Sequence, residues 1–275
     1  MCKSSKKIMI FSLLLACGAY LSYSKLYPFY VAATTRGTSA VYEPLNKKIE
    51  SYYNKLFVRS SVYEFLRKAY YTFGIPKKGV IHIGARYAEE LDIYQNFEIS
   101  NVLWIEADPE SKELLEKTVA KHQGSKVAYF AAADEEGTIL LRKTSNDGHS
   151  SSILKLKKHL DHYPDITESK QIEVPKKRMD TYLSFEDKQA FNVIVLDIQG
   201  AELIALKGCV ETLKTTDAVI AEVNYDELYE GAVLVRDLDD FMKSQGFTRA
   251  DTISIAPYTG DALYIKDEFF KKKIS

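Results

Sequence analysis

The chain has 275 residues, 46% of them apolar and 27% charged, which is close to the globular average and excludes both wholesale disorder and a polytopic membrane protein. That length accommodates one large domain, or a medium one with an appendage. A net charge of −1, with basic clusters at 155–158, 176–178 and 271–273 separated by acidic residues, leaves no electrostatic footprint for nucleic acid, which is not expected as a partner.

Lys3, Lys6 and Lys7 precede an uncharged stretch from Ile8 to Ser24, a basic region followed by an apolar one that should meet a membrane. Its length is at the lower limit for a spanning helix, so a signal peptide, a signal anchor and a lipid-attached start at Cys17 all remain open. With the lysines held inside, the body would lie outside the cytosol, and with the anchor inserted the other way round it would lie within; the segment alone leaves both open. Only Cys209 lies in the body, which leaves no internal disulfide framework. Residues 31–40 read as a linker. From Tyr42 to Phe73, apolar residues such as Leu56, Tyr63, Leu66 and Tyr70 recur at three- and four-residue steps, which predicts one or two helices packed on the body.

Beyond this point strands and helices alternate. Gly79–Gly84 is an apolar run ending in glycine, followed by Leu91, Tyr94 and Phe97 at helical spacing. Asn101–Glu106 is a second buried strand, and Asp108-Pro109 supplies a cap and a first-turn proline for the next helix. Lys126–Ala133 is predicted as a third strand, Thr138–Lys143 as an extra one and Ile153–His162 as a helix. Phe191–Leu196 is the most uniformly apolar strand and belongs at the sheet centre. Ala218–Val223, a helix through Leu234, Leu238, Phe241 and Met242 closed by Gly246, and Ala262–Ile265 complete an open, mostly parallel α/β sheet with helices on both faces.

In such sheets the ligand lies beyond the carboxyl ends of the strands. Gly84 ends the first strand, where a missing Cβ lets backbone approach a ligand. Glu106 ends the second and is the expected acceptor for ribose hydroxyls. Asp134 closes the third, where an adenine edge would lie, although a turn acid is an equal reading.

Four blocks carry a resemblance: His82-Ile83-Gly84-Ala85-Arg86, Trp104 to Pro109, Asn146 to Leu154, and above all Asp197-Ile198-Gln199-Gly200-Ala201-Glu202 through Gly208, continued by Ala221 to Asn224 and Gly260 to Tyr264. Together they resemble the FkbM family of S-adenosylmethionine-dependent O-methyltransferases over residues 78–267. The resemblance implies a class I methyltransferase (Rossmann-like), mostly parallel seven-stranded sheet whose last strand is antiparallel, S-adenosylmethionine as cofactor, and a hydroxyl-bearing small-molecule or glycan substrate. It places His82, Gly84, Ala85, Glu90, Glu106, Asp134 and Asp197 at the cofactor. Ala88 stands where the family usually has a second glycine, Arg86 where a small polar residue or His is commoner, and Thr259 where an aromatic is usual. The organisation expected is then a signal or anchor segment at 1–30, a linker and helical appendage at 31–77, the methyltransferase domain at 78–267 and a basic tail at 268–275.

S-adenosylmethionine is already activated, so the remaining chemistry is to align a weakly acidic hydroxyl and accept its proton. Asp197 is the favoured anchor near the methyl group, with Glu202, Glu222 and His149 as further catalytic candidates; a cap on the following helix is the alternative role for Asp197. Ser151, Gln199, Asn224 and Asp261 are the candidate acceptor-binding residues. Asp197, Glu222 and Asn224 could supply oxygen ligands to a divalent ion, but nothing in their spacing establishes a metal site. Two other readings stay open: a membrane-tethered binding module on a methyltransferase fold, and a nicotinamide-dependent Rossmann enzyme, the latter disfavoured because Gly-x-Gly-x-x-Gly is absent.

Overall fold

The computed structural model describes residues 60–274, and residues from Ser60 onward form one compact unit. The expected membrane segment, the linker and the first part of the helical appendage lie outside the described residues. Among the described residues no helix is long and apolar enough to cross a membrane.

The main sheet contains β1 (Gly79–Ile83), β2 (Asn101–Glu106), β3 (Ser125–Tyr129), β7 (Val193–Leu196), β8 (Ala218–Asn224), β9 (Phe247–Ala256) and β10 (Thr259–Lys266), in the order β3-β2-β1-β7-β8-β10-β9. The pairs from β3 to β8 are parallel, whereas β10 runs antiparallel to both β8 and β9. This is the seven-stranded class I order with its last strand reversed, as the sequence led us to expect. β1 and β7 are buried along their whole length. Successive residues feed opposite faces: Ile81, Ile83, Ile194 and Leu196 join one core, and Val80, Val193 and Val195 the other. Two-sided burial is why these strands read as continuous apolar runs.

Helix α1 (Ser61–Tyr71) lays Phe65, Leu66 and Ala69 on the second core, with side chains at three- and four-residue steps on one face. Helix α2 (Leu91–Asn96) follows β1. Asp108 caps the turn after β2, accepting from the Glu110 N–H at 2.9 Å with Pro109 at the first position, and α3 (Lys112–Val119) follows. Helix α5 (Glu202–Lys207) follows β7 and α6 (Val235–Ser244) precedes β9. The C-terminal stretch, expected as a basic tail, forms α7 (Asp267–Ile274), and its Phe270 stacks on Phe73 with ring centroids 5.7 Å apart.

Two expectations needed correction, and one strand of a second sheet was not anticipated. The third strand stops at Tyr129, and the chain turns at Phe130 into β4 (Ala131–Ala132) of a separate three-stranded sheet with β5 (Gly137–Thr144) and β6 (Glu168–Lys177), in the order β4-β6-β5. Strand β6 escaped the sequence reading because only Val174 is buried in it and Pro175 interrupts the pattern. The helix expected over Ile153–His162 is confined to α4 (His159–His162). Leu154 and Leu156 sit two residues apart and pack against Leu228, Tyr229 and Ala232, an extended spacing that overrides helix propensity.

Candidate active site

The carboxyl ends of β1, β2 and β7 open into a cleft of ≈ 330 Å³, roofed by the loop 147–153 that leaves the small sheet. His82, Gly84, Glu90, Glu106, His149, Ser151, Asp197 and Gln199 line it. Ala85 is buried beneath it, and Asp134, Glu202, Glu222, Asn224 and Asp261 are not among its lining residues.

On the first side, the turn after β1 is pinned to β2: the Gly84 and Ala85 N–H groups both donate to the Ile105 carbonyl. Gly84 has φ +91°, and a Cβ there would stand 2.0 Å from the Asp197 carbonyl oxygen. The glycine is therefore needed for the approach of two strand ends rather than to clear space for a ligand. Glu106 accepts from the Arg86 N–H at Oε2 and from the Asp108 N–H at Oε1, each at 2.6 Å. Burial pushes its pKa up, and those two N–H groups oppose the rise. Each oxygen retains a lone pair for a hydroxyl of a ligand. His82 shares a 2.6 Å hydrogen bond between Nδ1 and the Tyr94 hydroxyl and stacks on Trp104, and burial lowers its pKa to about 3. It is a neutral floor residue. Burial, then the neighbouring Glu89, raises Glu90 to about 7.

The turn carries two left-handed residues where glycine would be unstrained, Arg86 (φ +43°) and Ala88 (φ +57°). Arg86 spans the cleft mouth. Its Nη1 donates to Glu89, and its Nη2 to the Asp147 carboxylate at 2.8 Å and carbonyl at 3.3 Å, while its Nε is buried without a partner.

The far side is built differently. Asp197, just past β7, turns its carboxylate into the cleft, where crowding by protein raises its pKa. Gln199 (φ +58°) donates from Nε2 to Asp197 Oδ1 at 2.8 Å and to Glu222 Oε2 at 3.0 Å, and its Oε1 accepts from the Tyr229 hydroxyl at 2.7 Å. One amide thus ties two carboxylates. Burial, and then Asp197, holds Glu222 far above the usual carboxylate range. Asp261 lies opposite Glu222 on β10, accepts from the Ser61 hydroxyl of α1, and is raised to about 7 mainly by burial. Asn224 is buried with its Oδ1 unpartnered.

Two placements differ from expectation. Glu202, expected as catalytic, is buried outside the cleft, where Oε1 accepts from the Ile198 N–H at 3.0 Å and the Gly200 N–H at 3.2 Å. It caps the loop before α5, the role that had been the alternative for Asp197. Asp134 is exposed in the turn after β4, because the chain has already left the main sheet at Phe130; Phe130, Ala131 and Ala132 line the cleft where it was expected. His149 is exposed at the rim, and its charge favours the ionised form of Asp197. Among the described residues no group of three or more His, Cys, Asp or Glu is arranged to hold a metal ion.

Sequence reasoning missed Tyr229 and Ser152. The Ser152 hydroxyl donates to the Gln199 carbonyl at 2.8 Å and so ties the roof to the floor. Tyr229 stands in a non-periodic loop of a tyrosine-rich chain, with no local signal to single it out.

A model of the methyltransferase FkbM domain matches residues 78–248. The chain belongs to the FkbM methyltransferase family. Among curated proteins it is similar to the 2-O-methyltransferase NoeI of Sinorhizobium fredii, with 28% identity over 145 residues that make up 50% of this chain and 60% of that protein. The chain thus spans less than two thirds of that relative's length. Solved structures overlap loosely: magnesium protoporphyrin IX methyltransferase from Synechocystis, with bound SAM, at TM-score 0.44 and 12% identity, covering 90% of this chain and 99% of that one. A SAM dependent methyltransferase from Aquifex aeolicus overlaps at TM-score 0.41 and 13% identity, covering 80% and 97%.

Proposed function

We propose that this FkbM-family protein is an S-adenosylmethionine-dependent O-methyltransferase acting on a hydroxyl of a carbohydrate or glycolipid-like acceptor, and that its 8–24 stretch holds it at a membrane. The observation that carries the reading is that Asp197 and Glu106, two strand-end carboxylates, both line the cleft, with Asp197 held through the Gln199 amide that also meets Glu222. The name of the curated relative, a 2-O-methyltransferase, supports a hydroxyl acceptor.

The residues present fit the cofactor. Glu106 is preset by two backbone N–H groups to receive ribose hydroxyls, and an arginine Nε is buried nearby with no acceptor of its own. S-adenosylmethionine, when bound, supplies an activated methyl group. The Gln199 amide occupies Asp197 Oδ1, which leaves Oδ2 to take the proton of the acceptor hydroxyl. The raised pKa of Asp197 makes it a stronger base than an ordinary aspartate while His149 favours its charged form. Glu222, pushed far above the usual carboxylate range by burial and then by Asp197, accepts from the same Gln199 amide and so fixes the orientation in which that amide meets Asp197.

Titration calorimetry of the full-length chain in mild detergent with S-adenosylhomocysteine tests the reading. Binding in the micromolar range or tighter is expected, weakened about tenfold or more by Glu106→Ala. No heat from a folded wild-type chain would overturn the methyltransferase reading in favour of a tethered binding module.

A further inference from the structure

Arg86 is the one lysine or arginine among the described residues that line the cleft, which also presents Glu89, Glu90, Glu106, Asp108, Asp147 and Asp197. A ligand carrying a carboxylate meets repulsion at every charged wall except this one; a ligand carrying a cation is favoured nearly everywhere. The cleft therefore suits a ligand with an excess of positive charge and a single carboxylate, provided that Arg86 can be reached.

The guanidinium is set up for an exchange. An arginine takes a carboxylate side-on through Nε and Nη2. Here Nε is buried and unpartnered, and Nη2 is held by Asp147 from the roof loop, with the Asp147 side chain 73% exposed. Glu89 engages Nη1, on the other edge, and need not move. Replacing an exposed aspartate by a ligand carboxylate that satisfies both Nε and Nη2 adds a hydrogen bond to a donor that now has none. Arg86 and Asp147 are also both left-handed, with φ +43° and +58°, so each side of this contact stands on a constrained backbone.

We propose that Arg86 recognises the α-carboxylate of the amino-acid portion of S-adenosylmethionine and S-adenosylhomocysteine, exchanging Asp147 for it and thereby freeing the 147–153 roof loop. This rests on the cofactor reading above.

The test compares S-adenosylhomocysteine with 5′-methylthioadenosine, which lacks the amino-acid portion, by calorimetry on the full-length chain. Arg86→Gln should weaken S-adenosylhomocysteine about tenfold or more and leave methylthioadenosine unchanged. Asp147→Asn, which removes the competing charge at a left-handed position that asparagine tolerates, should tighten S-adenosylhomocysteine about two- to fivefold. The opposite signs keep the test decisive if Arg86→Gln proves misfolded by thermal melting. Equal losses for both nucleosides in a folded Arg86→Gln, or no gain with Asp147→Asn, overturn the assignment of Arg86 alone. If the wild type binds neither nucleoside, the cofactor reading falls with it.

Discussion

The two halves of the cleft solve the same problem, a carboxylate at the end of a strand, in opposite ways. At β1 and β2 the acid is satisfied by backbone: both oxygens of Glu106 already hold N–H groups of adjacent turns. At β7 and β8, Asp197 in the cleft and Glu222 outside its lining share one side-chain amide, and among the described residues the Asn224 oxygen of β8 has no partner. Backbone donors cannot rotate away, so the first half is a fixed seat for a ligand that always has the same shape. Side-chain donors can rearrange, and unspent polar capacity costs stability unless something arrives to use it. The second half therefore has the character of a site for a group that enters, reacts and leaves.

The comparison breaks most visibly at Asp197. If it is the base, Asp197→Asn should lower turnover about 10²–10⁴-fold; a loss below about tenfold in a methyl-transfer assay would show that the proton goes elsewhere.

The electrostatic penalty of the carboxyls buried in and around the cleft should appear as a pH dependence of folding. Glu202 and Asp261 are each raised to about 7, as is Glu90. A carboxyl whose native pKa lies above its unfolded one keeps its proton longer in the native state, so stability is greatest below about pH 4.5 and declines as pH rises towards 7. Glu202→Gln keeps an acceptor for the Ile198 and Gly200 N–H groups and removes the ionisation. Urea denaturation at pH 5 and pH 8 should show the variant losing about 1–3 kcal/mol less than the wild type across that interval; an unchanged slope would mean that Glu202 is ionised at little cost.

Smaller effects sharpen the picture. Tyr229→Phe removes the hydroxyl that orients Gln199. Turnover should fall about three- to tenfold, with the melting temperature nearly unchanged. Ala88→Gly relieves about 1 kcal/mol of left-handed strain and forfeits a buried methyl of about 0.8 kcal/mol. Its unfolding free energy should therefore stay within about 0.5 kcal/mol of the wild type, and a larger shift in urea unfolding would show that one of the two terms is misjudged.

Much of the fold is legible in the sequence wherever burial is two-sided. β1, β2, β7 and β8 are apolar runs because both faces meet helices, and Asp108-Pro109 marks a helix start by its own chemistry. β6 and β9 were not legible, since strands largely open to solvent carry Lys, Glu and Thr as readily as a loop does. In the site, Glu106, Asp197 and Gln199 follow from their places at strand ends and from the family motif. The motif could not tell which acid of Asp197 and Glu202 caps the loop, because the two flank the same turn in the sequence. Nor could it find Tyr229, whose contact with Gln199 joins positions 30 residues apart.

Gly84 leaves no room for even a methyl group between the turn that follows β1 and the carbonyl of Asp197. The turn after β1 and the strand end that carries Asp197 are for this reason a single mechanical part, meeting through backbone alone. Thermal motion that displaces one carries the other with it, so the spacing between the two sides of the cleft is held in register. Misplacement by an ångström can cost a reaction a hundredfold, and here that tolerance is guarded by the smallest side chain available.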